Sequence, residues 1–162
     1  MAFKTMEDAL DGILSHTESV LEQFLVGVET ARGVTIPRGY EMARYDIVDF
    51  HRLTIEILAD DTEPSGGEDE TQPMIGDYWN LHKVNIYVTY SGTKPDEVTD
   101  AIMRYLEAFQ SMVRDDESFG GRFNTVSLLR VDYTPLAELK EKTKDKKRQF
   151  AKIGTVFLQV RD

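Results

Sequence analysis

A stripe of mostly apolar residues runs Met6, Leu10, Ile13, Leu14, Thr17, Leu21, Phe24, Leu25 and Val28, in steps of three and four. That period lines one side of an amphipathic helix. Gly33, directly after Arg32, supplies the left-handed residue that commonly ends one. A second stripe runs Val98, Ala101, Ile102, Tyr105, Leu106, Phe109, Met112 and Val113. Ahead of it, Thr93 stands where a cap is expected, with Asp96 three residues on as in a capping box, and Pro95 suits the first turn. Between and after the helices the period changes to two, the signature of strands. Leu53, Ile55 and Ile57 alternate with Arg52, Thr54 and Glu56, and Val84, Ile86, Val88 and Tyr90 share a side against Asn85, Tyr87 and Thr89. Phe123–Tyr133 also reads as a strand, but its phase slips at Leu128 and Leu129, which predicts a bulge or a strand covered on both faces. Ala151–Val160 closes the pattern with Val156, Leu158 and Val160 on one side. Its other side, with Ile153, Thr155 and Phe157, is unusually apolar for a solvent face.

The order helix, two strands, helix, two strands predicts a single α+β domain over residues 1–162. Its core is a mainly antiparallel four-stranded sheet with two amphipathic helices packed on one face. Two stretches fall outside the periodic pattern. Residues 60–80 hold Pro64, Gly66, Gly67 and Pro73 and are expected to form a mobile acidic loop; residues 137–149 are expected as a charged helix or a hairpin arm.

Charge sharpens that picture. The 162 residues carry a net charge of −10, yet the two irregular stretches have opposite sign. Asp60–Asp77 contains seven carboxylates and no Lys or Arg, whereas six of the nine residues in Lys140–Arg148 are basic. A strongly acidic whole argues against general affinity for nucleic acid. No apolar run approaches a membrane span, and MAFKTMEDALDG lacks the basic-then-apolar pattern of a secretory signal, so neither membrane insertion nor secretion is expected. With no cysteine there are no disulfides and no thiolate metal sites, which fits assembly in a reducing cytoplasm.

Catalytic patterns are missing: no His-Glu-x-x-His pair and no G-x-S-x-G elbow occurs. His16 lies off the apolar stripe and is expected at the surface, and His51 and His82 open neighbouring strands at opposite ends of their ladder. The acidic run lacks the ligand register of a calcium-binding loop. Gly120-Gly121 leads from a helix into a strand, the reverse of a phosphate-binding loop, and so reads as a turn. No enzyme activity, cofactor or bound metal is therefore expected. Two other readings stay open: a metal-dependent hydrolase or nuclease using the acidic loop, and a small-ligand module with Tyr78, Trp79 and Tyr87 lining a site.

The layout resembles the tail terminator, or tail completion, proteins of long-tailed phages. The resemblance spans the chain: the N-terminal helix; HRLTIEIL, then HKVNIYVTYSG leading into PDEVTDAIMRYLEAFQSMV; DDESFGGRFNTVSLLRVDYTPL; and the closing FAKIGTVFLQVRD. It implies a non-enzymatic virion protein of the neck, at the top of the tail, that forms a homo-oligomeric ring, expected as a hexamer. The ring would cap the tail tube protein and join it to the head connector or stopper, with DNA passing its lumen without sequence-specific binding. A stopper or minor neck protein is the alternative within the same setting. Ring contacts are expected at Ile153, Thr155 and Phe157. Register would come from pairing Lys140, Lys142, Lys144, Lys146, Lys147 and Arg148 with Asp60, Asp61, Glu68, Asp69 and Glu70 of a neighbour, near Tyr78 and Trp79.

Overall fold

Thr5 starts the first helix. Its hydroxyl accepts from the Asp8 amide at 3.2 Å while its own amide donates to the Asp8 carboxylate at 2.7 Å, a reciprocal capping box. The helix, α1, runs Met6–Arg32 and ends at Gly33 in the left-handed conformation the sequence predicts. The computed structural model describes residues 4–47, 52–65, 79–139 and 148–162, with the backbone alone at Ser65 and Trp79. After α1 the chain is tied back by Arg38, which bridges Glu22 and Glu29, and by the Ile36 amide on Glu29.

The remaining elements are β1 (Glu41–Ala43), β2 (Thr54–Ser65), β3 (Trp79–Gly92), α2 (Pro95–Asp115), β4 (Thr125–Tyr133), β5 (Ala137–Leu139) and β6 (Gln149–Arg161). The sheet order is β1-β2-β3-β6-β4, with β5 pairing β6 beyond the end of β4. β1 runs parallel to β2, and every other pairing is antiparallel. The expected α+β class and the strand cores are thus present, but among the described residues the sheet is a mixed one of six strands where four, mainly antiparallel, were expected. The extra strands, β1 and β5, are three residues each, too short to show a period of two.

Other expectations also change. Lys94, not Thr93, occupies the N-cap of α2 and makes no side-chain cap bond; Pro95 does sit in the first turn. The stretch expected as a loop from residue 60 is paired as far as Ser65, and pairing resumes at Trp79, so β2 and β3 form a long hairpin. A bulge between Ala59 and Asp61 re-aims its outer half, which is why alternation fails there. The phase slip in β4 is a bulge between Leu128 and Arg130.

The core lies between the helices and one face of the sheet. Ile55 and Ile57 of β2 lie on the α1 side of this core, while Val84, Ile86 and Val88, then Val156, Leu158 and Val160, meet the buried stripe of α2. Gly154 is where α2 comes closest: a Cβ there would lie 2.5 Å from Leu106 Cδ1 and 2.8 Å from Ile102 Cγ2. Tyr105 crosses the core, and its hydroxyl donates to the Pro37 carbonyl at 2.6 Å.

Candidate functional site

Because the helices cover one side of the sheet, strand alternation sends the other half of each strand to a face that, among the described residues, no helix covers. Register orders that face into rows. Leu58, Asn85, Phe157 and Arg130 form one; Glu56, Tyr87, Thr155 and Asp132 the next; Thr54, Thr89 and Ile153 the third. The sequence-predicted Ile153, Thr155 and Phe157 are therefore neighbours on the uncovered face, with Thr155 buried and the other two half-buried. Arg130 stacks its guanidinium over the Phe157 ring at 4.2 Å, a cation–π contact the sequence did not reveal. The β4 bulge creates it: without the extra residue, Leu129 rather than Arg130 would face outward beside Phe157.

Asp46 and Ile47, from the segment after β1, border a hollow of about 450 Å³ on this face, lined also by Glu56, Leu58, Tyr87, Thr89 and Ile153. Burial pushes the Glu56 carboxyl above its ordinary pKa and nearby Asp46 adds to the shift, while the Ile47 amide and the Thr54 hydroxyl pull against it. Tyr87 accepts from the Asn85 amide at 3.2 Å. Asn85 Oδ1 and Ser91 Oγ, on the same face of β3, are closed off from solvent and have no hydrogen-bond partner. Glu56 and Tyr87 sit at outward positions of alternating strands, so their exposure to this face was legible. Asp46 and Ile47 were not, since they lie in no periodic segment.

The charged stretches sit differently. Asp60 and Asp61 are exposed on the outer half of β2. Arg148 is exposed and pairs with Glu138 at 3.4 Å across the β5–β6 stem. Glu68, Asp69, Glu70, Tyr78, Lys140, Lys142, Lys144, Lys146 and Lys147 lie outside the described residues, as do His51 and the Trp79 side chain. The Trp79 backbone is eight positions from Tyr87 on β3, about 26 Å at roughly 3.3 Å per residue, so these two do not share a site. The acidic hairpin leaves the sheet at the Arg161 end of β6 and the basic stem at the Gln149 end. About 40 Å of strand separates the two ends.

The histidines and glycines follow structural roles. His16 is buried, not exposed as expected, because the turn after α2 throws Phe119 against it, the rings stacked at 4.4 Å. Desolvation lowers the His16 pKa. His82 is also buried; its ring nitrogens lie within hydrogen-bond distance of Thr62 and of the Lys4 carbonyl. Gly120 and Gly121 have φ of 70° and 77°, and their amides donate to Asp116 and Ser118. Those N–H groups are therefore occupied within the turn, which leaves no cradle for an anion. Among the described residues no group of three or more His, Asp or Glu is placed to hold a metal ion, and no helix is long and apolar enough to cross a membrane.

A second hollow, between α2 and β4, is lined by Arg32, Glu107, Arg104, Asp100 and the half-exposed Met103 and Tyr133. Its charges are matched within the chain, Arg32 to Glu107 at 2.6 Å and Arg104 to Asp100 at 3.7 Å. No known protein family matches this sequence, and no curated protein does. Among solved structures, a chain described as "Virion of native gene transfer agent (GTA) particle" is 12% identical, over 88% of this chain and 92% of that one, with a TM-score of 0.32. At that level of likeness, function has to be argued from the molecule's own surfaces.

Proposed function

We propose that the chain is a non-enzymatic structural subunit of a phage-like particle, a tail terminator that closes into a ring between tail tube and head connector. The uncovered sheet face carries this reading. A two-layer α+β protein that works alone normally presents a polar outer sheet face. Here Leu58, Tyr87, Ile153 and Phe157 are grouped on it. Contiguous apolar surface rimmed by charge is the usual mark of a protein contact.

The separation of charge fits the same reading. Ring closure needs two different patches on each subunit, so that copies associate head to tail. The acidic hairpin and the basic stem leave the sheet at opposite ends, about 40 Å of strand apart, which suits charge pairing between neighbours. A net charge of −10 per subunit favours a lumen that repels DNA and lets it pass. The test is to add the purified chain to polymerising tail tube protein and image the products by electron microscopy. Tubes should stop growing and carry a ring at one end. Tubes that lengthen without end density would reject the terminator role.

A further inference from the structure

The hollow beside Glu56 has the chemistry of a site for a cationic side chain. Ile47, Leu58 and Ile153 give it carbon walls, and Asp46 and Glu56 give it carboxylates. Lysine and arginine match that combination, since their methylene stems pack on apolar surface while the charged head pairs. Glu56 is met by the Ile47 amide and the Thr54 hydroxyl, and Asp46 places a second negative charge beside it. A half-buried carboxylate beside a like charge is costly, and an incoming cation relieves that cost.

We propose that this hollow receives a basic side chain from the Lys140–Arg148 stretch of a second copy of the chain. The proposal rests on the ring reading and names the landing point of its basic arm. Charge complementarity identifies the occupant: six of nine residues in that stretch are basic, in a chain whose net charge is −10. Lys140, Lys142, Lys144 and Lys146 fall at every second position, so an extended segment would present all four on one side. The direction of the stem argues for a neighbour's arm. β5 and β6 stay paired from Ala137 and Ala151 out to Leu139 and Gln149, past Gly92 where β3 ends. At Gln149 the described stem is about 13 Å of strand from Ile153 and pointing away from it.

The experiment titrates a synthetic peptide of residues 139–149 into the full chain and follows the methyl resonances of Ile47, Leu58 and Ile153. Shifts should concentrate on those methyls. Affinity should fall about tenfold or more on Glu56→Gln, and again between about 50 and 500 mM salt. Gln keeps the shape of Glu, so thermal melting checks that the variant is folded. No binding, or binding unchanged in Glu56→Gln, would overturn the proposal. So would a peptide that binds only after the chain's own lysines are replaced by Gln, because its own arm then fills the slot. Light scattering separates this from the ring reading. A Glu56→Gln chain with the wild-type ring mass removes the slot and leaves the ring. A wild type that stays monomeric yet binds the peptide as described keeps the slot and removes the ring.

Discussion

Gly154→Ala should destabilise the protein, although alanine normally suits a strand better than glycine. The added Cβ would sit 2.5 Å from Leu106 Cδ1, 2.9 Å from Leu106 Cγ and 2.8 Å from Ile102 Cγ2. Ordinary carbon contacts are about 3.5–4.0 Å, so about an ångström has to be recovered. Neither neighbour can yield easily. Ile102 and Leu106 are fully buried on α2, where helix geometry restricts their rotamers. Overpacking of this kind costs about 1–3 kcal/mol. The loss of glycine's backbone freedom in the unfolded chain returns about 0.4–1 kcal/mol. The net is about 1–2 kcal/mol, or a drop in Tm of about 2–8 °C for a chain of this size. Circular dichroism melts would read it, with Gly27→Ala as control. Gly27 lies mid-α1, and a methyl added there would have nothing within 4 Å, so that change should stabilise by about 0.8–1 kcal/mol. Leu106→Ala makes room for the methyl added at position 154, so the double variant should lose clearly less than the two single losses added. A Gly154→Ala protein as stable as wild type, or strict additivity, would refute the close approach of α2 to β6.

Three further outcomes follow from particular contacts. Tyr105→Phe strips the donor from the Pro37 carbonyl inside the core and should cost about 1–3 kcal/mol by urea titration; an unchanged midpoint would show that the carbonyl finds another partner. His16, buried against Phe119 with its pKa lowered by desolvation, binds its proton more readily in the unfolded chain. Stability should therefore fall as pH drops through the unfolded value of about 6.5 toward the lower folded one, and the His16 ring resonances should titrate below that value. Ile153→Asn, on the face away from the helices, should leave the monomer folded while weakening self-association, because a neutral polar side chain beside Leu58 and Tyr87 opposes apolar contact.

Long periods were legible and short or bent ones were not. Both helices, and the core faces of β2, β3 and β6, followed from apolar spacing alone, as did the outward side of Ile153, Thr155 and Phe157. The bulge at Leu128 showed as a phase slip, but its consequence did not. Only the register reveals that it turns Arg130 over Phe157. The three-residue strands carry no period, and the parallel pairing of β1 with β2 spans sequence with no turn signal to announce it. His16 misled because its partner, Phe119, arrives from a turn 103 positions later. Glu56 looked like an ordinary polar position of an alternating strand, and its role depends on Asp46 and Ile47 bordering the same hollow.

The central claim is that copies of this chain associate head to tail and close, and the mass of the assembly tests it most directly. Light scattering coupled to size exclusion, on the chain alone and then with tail tube protein, should give one closed species near six times the 18.5 kDa chain. Its mass should not climb with concentration, as an open filament's would. A species at 18.5 kDa under both conditions would contradict the account.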